Sequence, residues 1–412
     1  MTVIQLKPKK QDSLLRFHPW VFSGAIAKIL LDKNYPYNEP QEGELVRVTD
    51  SDDNNLAVGH WQKGSIAVRV LAFGTDRLPA DFWHRRIAAA YNCRRDINLP
   101  VHDHKTAYRL VHGEGDRLPG LIVDIYADTA VVQAHSAGMH LCRYDIAKAL
   151  VDTVPAVQRV YYKSDDTLPF KAPLQGDKTG YLIGEPSDYV CWAAENGLEF
   201  RIDWLQGQKT GFFVDQRDNR SLLEHYAANR HVLNMFCYTG GFSVYAIRGG
   251  AKSVTSVDVS AKAIELVKQN VAHNFPDYPA HYAYAADAFD FLDGKINDRL
   301  ANVQMTNDKY DLIVLDPPAF AKHRDAVPNA LRGYRRLNAK AIEKIAPGGI
   351  LFTFSCSQAV DKEAFRLAVF TAAAQVGRHV RILHQLHQPA DHPINIFQPE
   401  GEYLKGLVLY VE

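Results

Sequence analysis

From His231 onward the sequence alternates short apolar runs with amphipathic stretches, and this alternation leaves few architectures open to the C-terminal half. The apolar runs are HVLNMF, SVTSVDV, YAYAAD, YDLIVLD and GGILFTFS. Residues 261–273 and 333–345, between them, carry the clearest helical spacing. Near-continuous apolar strands separated by helices predict a mostly parallel sheet covered on both faces. Ligands of open α/β sheets bind at the carboxyl ends of the strands. The residues directly after each run are therefore the candidate site.

The first run leads into Asn234-Met235-Phe236-Cys237-Tyr238-Thr239-Gly240-Gly241-Phe242. Glycines there let backbone approach a ligand closely, and the next helix offers its N-terminus. Asn234, Phe236, Tyr238 and Gly240 are candidate cofactor contacts. The second run ends in Asp258, about 20 residues on, where a carboxylate can accept both ribose hydroxyls. The third ends in Asp287, followed by Ala288 and Phe289, a place suited to an adenine ring. The fourth ends in Asp316-Pro317-Pro318-Ala319-Phe320 and the fifth in Ser355-Cys356-Ser357. Each piece has an ordinary structural reading: Gly-Gly as a turn, Asp as a helix cap, Cys as a small core residue. Their order at successive strand ends fits a cofactor with a nucleoside but no pyrophosphate. The departure from GxGxxG argues against a nicotinamide dinucleotide.

Two of these loops carry a chemical rationale. The prolines after Asp316 fix φ near about −65° and remove two donors, giving a stiff loop with free carbonyls beside a carboxylate. Such a loop can orient a planar base through Asp316 and Pro317 and stack Phe320 on it. Carbon 5 of a pyrimidine is a poor nucleophile until a thiolate adds at carbon 6. Cys356 is the candidate thiolate; a free Cys has a pKa of ~8.5 and needs help to ionise. Asp316 can share a proton at N3, and the base must leave its stack to reach the pocket.

The N-terminal half reads differently. At ~100–200 residues per domain the chain suggests two or three domains. Residues 1–75 contain short strands (GELVRVTD, LAVGHW, SIAVRVL) split by polar turns and predict a small β-rich domain. Residues 76–190 predict a central α+β domain, with helices near 81–97 and 143–151; the third domain spans 191–412. EFRIDW and KTGFFVDQ predict a hairpin at its start, and 218–227 a helix. Lys plus Arg and Asp plus Glu number 47 each, so nucleic-acid binding has to rest on local basic patches. The five cysteines show no CxxC pairing, which argues against a disulfide framework or a zinc site and for a reducing, cytoplasmic setting. No apolar run approaches the ~20 residues needed to cross a bilayer.

Taken together, the segments HPWVFSGAI (18–26), GEGDRLPGLIVDIY (113–126), GQKTGFFVDQRDNR (207–220), NMFCYTGGFSVYA, VTSVDVS, LDPPAFAK, FSCSQ, Asp391-His392-Pro393-Ile394 and PEGEYLKGL resemble, in order, one family. It is the group of bacterial 23S ribosomal RNA cytosine-C5 methyltransferases with an N-terminal PUA domain, the RlmI-like group. The resemblance implies a class I Rossmann-like methyltransferase domain with a mostly parallel seven-stranded sheet. A PUA domain that holds RNA and the central α+β domain would precede it. It implies S-adenosylmethionine as cofactor, held by Phe212, Asp215, Arg217, the 234–241 loop, Asp258, Asp287, Ala288 and Asp316, with Cys356 as nucleophile. It implies 23S rRNA as partner, met before full subunit assembly, and admits a homodimer. Many RNA cytosine-C5 enzymes carry a second Cys directly after the two prolines; here that residue is Ala319, so no motif identifies the base that removes the C5 proton.

Two other readings stand beside this one. DPP-plus-aromatic loops also serve methylation of RNA nitrogens (guanine or adenine), where a lone pair attacks directly and no Cys is needed. A non-catalytic RNA-binding protein would explain the PUA-like domain but not an intact cofactor series. Lys322, Arg332, Arg335 and Arg336, after the Asp-Pro-Pro loop, are candidate substrate-RNA contacts, against the alternative of a solvated helix face.

Overall fold

The computed structural model describes every residue except 102, 170–173, 186–190, 296–308 and 322. The chain forms two compact units, one of residues Met1–Ala194, Ile202–Val214 and Ala390–Gly401, the other of Glu195–Arg201, Asp215–Pro389 and Glu402–Glu412. Residues 202–214 and 390–401, placed by the sequence reading in the third domain, thus pack with the first unit.

The first unit holds two sheets. In the six-stranded sheet the order is Trp20–Phe22, Ile66–Phe73, Asn55–Trp61, Leu45–Thr49, Val3–Leu6 and Ile26–Leu30, with one parallel pair, Val3–Leu6 beside Leu45–Thr49. Period-two alternation sends Ile4, Leu6, Val46 and Val48 into its core. The five-stranded sheet runs Thr179–Ile183, Arg159–Lys163, Thr129–Ala134, Leu121–Tyr126 and Ala107–His112. Helices Phe82–Asp96 and Arg143–Thr153 supply Ile87, Tyr91, Ile146 and Leu150 to its core. Both lie within a few residues of the expected helices.

The expected hairpin of EFRIDW with KTGFFVDQ does not form. Strand Leu198–Ile202 instead follows strand Cys191–Glu195 through Asn196-Gly197, both in the left-handed region (φ 51° and 79°), the residue pair that favours a tight hairpin turn. The 207–213 stretch is irregular: Gly211 has φ 117°, and a Cβ there would stand 2.9 Å from Ile202 Cγ2.

The second unit is the expected α/β domain. Its elements are α1 (Arg217–Tyr226), β1 (His231–Met235), α2 (Gly241–Arg248), β2 (Ser253–Asp258), α3 (Ala261–Asn274), β3 (His281–Ala285), α4 (Ala288–Leu292), β4 (Tyr310–Leu315), α5 (Val327–Lys344), β5 (Ile345–Ser355), α6 (Lys362–Val376), β6 (Val380–Leu386) and β7 (Lys405–Val411). The seven-stranded order is β3-β2-β1-β4-β5-β7-β6. The first five strands are parallel, and β7 runs antiparallel to both β5 and β6. The order reverses between β1 and β4, which makes their carboxyl ends the crevice of a doubly wound sheet. Helix α3 shows how the sequence builds this layer. Ser260 Oγ accepts from Ala263 N–H as N-cap, and Ala263, Ile264, Val267, Asn270 and Val271 form one buried stripe. Among the described residues no helix is long and apolar enough to cross a membrane.

Candidate active site at the strand ends

The loop after β1 is held in sparsely populated backbone. Phe236 (φ 59°) and Tyr238 (φ 45°) are both left-handed, a conformation that costs a non-glycine residue of order 1 kcal/mol and persists only where the surroundings impose it. Here the imposing bonds are visible. Cys237 N–H donates to Val257 O at 3.1 Å, Tyr238 N–H to Asp258 Oδ2 at 3.0 Å, and Asn270 Nδ2 to Thr239 O at 2.8 Å. Gly240 takes φ 82°, and a Cβ there would meet Val267 Cγ1 at 2.9 Å. Glycine is therefore required by both conformation and space.

Asp258 does two jobs at once. One carboxylate oxygen accepts from Tyr238 N–H; the other accepts from Ser260 N–H at 2.9 Å. Each oxygen keeps a second lone pair, so the half-buried carboxylate can still receive hydroxyl donors. Asn234 is buried, with Nδ2 donating to Ser243 Oγ at 2.9 Å and Oδ1 having no protein partner. A buried amide oxygen without a donor is costly, and a ligand ammonium or N–H would satisfy it. Asp287 caps α4, its Oδ1 accepting from Phe289 N–H at 2.8 Å and Asp290 N–H at 3.1 Å. Ala288 is buried, and Phe289 lies under the Arg336 guanidinium at 4.3 Å from the ring centre.

Asp215 and Arg217 are buried at the start of α1. Tyr403 O–H donates to Asp215 Oδ2 at 2.6 Å, and Arg217 Nε lies 3.8 Å from Glu195 Oε2. Phe212 belongs to the first unit, 3 % exposed, where its carbonyl accepts from Tyr126 O–H at 3.2 Å.

The β4 and β5 ends come together. The Cys356 thiol points to the Pro317 carbonyl, with Sγ 3.9 Å from the oxygen. Both neighbours of Cys356 are pinned. Ser355 Oγ and Ser357 Oγ flank the buried Tyr334 hydroxyl at 2.9 and 3.0 Å, and Ala321 N–H donates to Ser357 Oγ at 3.2 Å. Burial pushes the Tyr334 phenol up, so it remains a neutral donor and acceptor. Phe320 packs on Tyr334 with ring centres 4.6 Å apart, and Pro317 is buried. Arg332, Arg335 and Arg336 are exposed on α5, while Lys322 lies outside the described residues. Tyr334, Tyr403 and Lys405 were missed by sequence reasoning. Lys405 left a signal, as the single charge opening the otherwise apolar strand KGLVLYV.

The sheet order and its reversal between β1 and β4 define a Rossmann-like fold, and the chain's similarity to known proteins places it among S-adenosylmethionine-dependent methyltransferases. The family profile described as S-adenosylmethionine-dependent methyltransferase matches residues 172–399, and that for a PUA-like domain matches residues 4–73. Curated relatives from Tolumonas auensis and Aeromonas hydrophila, each called ribosomal RNA large subunit methyltransferase I, are 40% and 39% identical, covering 99% and 98% of both chains respectively. The chain belongs to the ribosomal RNA large subunit methyltransferase I family. Among solved structures, a methyltransferase from Streptococcus mutans aligns over 100% of both chains with TM-score 0.80 at 22% identity. A second structure, described as a methyltransferase complexed with SAH, aligns over 100% of both chains with TM-score 0.81 at 23% identity, and both show the same fold.

Proposed function

We propose that this chain forms 5-methylcytosine in 23S ribosomal RNA through a covalent bond between Cys356 and carbon 6 of the base. One observation carries this reading: a thiol at the end of β5, its two neighbours fixed by a buried hydroxyl network, faces the carbonyl of the Asp-Pro-Pro loop at 3.9 Å. Methylation of a nitrogen needs no thiol there. S-adenosylmethionine, when bound, supplies the electrophilic methyl group. Cys356 sulfur forms the bond to C6 while the C5–C6 π electrons move to C5, and Asp316 shares a proton at N3 to stabilise the adduct. Carbon 5 takes the methyl group, its proton leaves to a base, and the S–C6 electrons return to sulfur. Pro317 and Phe320 orient the target base, and Arg332, Arg335, Arg336 and Lys322 meet the RNA backbone.

In the same reading, Asn234, Phe236, Tyr238, Gly240, Asp258, Asp287, Ala288, Asp316, Phe212, Asp215 and Arg217 serve the cofactor, with Asp258 on the ribose hydroxyls. Each charge-assisted hydrogen bond contributes about 1.5–3 kcal/mol. Asp258→Ala should therefore weaken S-adenosylmethionine binding at least about tenfold by calorimetry. Unchanged affinity would remove Asp258 from the cofactor site.

The first unit holds the RNA in this account. It carries a cavity of about 360 Å³ lined by Phe17, Phe73, Phe397 and Arg117, and Phe17 and Phe397 are 50% and 48% exposed. Exposed rings beside a guanidinium suit unstacked bases. A base that must leave its stack is reached most readily before the subunit is fully assembled. The test is to map methylated nucleotides in rRNA from cells with and without the gene. Loss of 5-methylcytosine at one 23S position is expected. Loss of an N-methylated purine, with every 5-methylcytosine retained, would replace this reading with N-methylation.

A further inference from the structure

We propose that Lys405 is a positioning residue for Cys356, its buried ammonium holding the thiol in the thiolate form that adds to the pyrimidine. The proposal rests on the covalent reading above and deepens it. Lys405 opens β7 at 6% exposure and sits in register opposite Ser355, the residue before Cys356. Its Nζ donates to Ser357 O and to Val360 O, both at 2.6 Å. The side chain therefore runs from the strand partner of Ser355 to the turn just beyond Cys356, and its ammonium is hydrogen-bonded to the carbonyl of the residue that follows the thiol.

What is missing around this ammonium is an anion. Among the described residues no carboxylate lies within ion-pair distance of Lys405 Nζ. A buried cation with only neutral carbonyl partners is an expensive arrangement that a protein ordinarily relieves with a counter-charge. The groups that face it are Cys356, Asp361, Glu402 and Lys362. The two carboxylates are engaged elsewhere. Asp361 is exposed and caps α6 by accepting from Ala364 N–H at 2.7 Å, and Glu402 pairs with Lys362. Tyr334, which also faces Cys356, is held neutral by burial. The Cys356 thiolate is the anion left to fill the place. Burial pushes Lys405 down to about 8, so it is still mostly charged at neutral pH. The ammonium is too deep to touch RNA and acts through the thiol, whose proton passes to solvent.

The test uses the full-length protein and iodoacetamide, with alkylation of the Cys356 peptide followed by mass spectrometry across about pH 6 to 10. In the wild type the alkylation midpoint should lie about one unit or more below the ~8.5 of an ordinary thiol. Lys405→Met keeps the apolar stem and removes the charge. It should raise the midpoint by about one unit or more and lower methyl transfer at least about tenfold at neutral pH, with recovery toward alkaline pH. Lys405→Arg should keep the low midpoint. An unchanged midpoint in Lys405→Met, or an activity loss equal at every pH, would show a mere brace of the turn and overturn the proposal. If Lys405→Met does not fold, the wild-type profile decides alone, and a midpoint at or above ~8.5 overturns the proposal. Alkylation needs neither RNA nor cofactor, so its outcome is separable from the covalent reading, which is tested by methylation with Cys356→Ser.

Discussion

Cys356→Ser is expected to lower methyl transfer by several orders of magnitude while leaving S-adenosylmethionine affinity near wild type. The substitution nearly conserves volume, and Cys356 is only partly buried, so the fold has no reason to fail. Ser355, Ser357 and Tyr334 keep their hydrogen bonds in the variant, so the hydroxyl still stands beside the Pro317 carbonyl. What changes is chemistry: a serine hydroxyl is far less ionised than a thiol near neutral pH and a poorer nucleophile. Single-turnover methylation with labelled cofactor, paired with calorimetry, separates the two effects. A mutant that transfers methyl at the wild-type rate would remove Cys356 from the reaction and leave nitrogen methylation as the leading chemistry.

The largest effect on stability should come from Glu195. Its carboxylate is buried and takes Arg220 in a bidentate pair at 2.7 and 2.6 Å, with Tyr245 O–H donating at 3.0 Å. The pair ties α1, which carries Arg217, to the end of strand Cys191–Glu195, and Tyr245 brings α2 to the same carboxylate. Glu195→Ala would remove the carboxylate that pairs bidentately with the Arg220 guanidinium, itself 3% exposed. Breaking a buried pair from one side costs about 3–5 kcal/mol. For a unit of this size that lowers the melting temperature by on the order of 10 °C. Glu195→Met combined with Arg220→Met should recover much of the loss, because removing both charges also removes their desolvation cost. Calorimetric melting of the three proteins checks this; an unshifted transition in Glu195→Ala would show the pair to be energetically idle.

The central strands β1, β2, β4 and β5 were legible because each is largely buried on both faces and therefore almost continuously apolar. The series Asn234, Asp258, Asp287, Asp316 and Cys356 was legible because the sheet topology makes strand ends the ligand crevice. Less was readable where a local signal competed with a stronger-looking one. The aromatic run Phe212-Phe213 suggested a strand, yet Asn196-Gly197 carried the true hairpin signal. Helix α6 has a clear cap at Asp361 and a left-handed Gly377 at its end, but the exposed Leu367 and Phe370 blur its apolar stripe. Strand β6 pairs on one edge only and exposes most of its side chains, so it lacks a buried-strand pattern. Tertiary partnerships left no local trace at all: the bond from Tyr238 N–H to Asp258, and the Tyr334 hydroxyl between Ser355 and Ser357, join residues about 20 or more positions apart in the chain.

The most direct test of covalent cytosine-C5 chemistry is a trapping experiment with 23S RNA fragments carrying 5-fluorocytosine at the target position. Fluorine cannot leave C5 as a proton does, so the thioether to C6 should persist after methyl transfer. The account predicts a protein–RNA band on a denaturing gel, dependent on S-adenosylmethionine, absent for Cys356→Ser, and mapping by mass spectrometry to the Cys356 peptide. Methylation of the unmodified fragment with no such adduct on the fluorinated one, or an adduct that survives in Cys356→Ser, would contradict it.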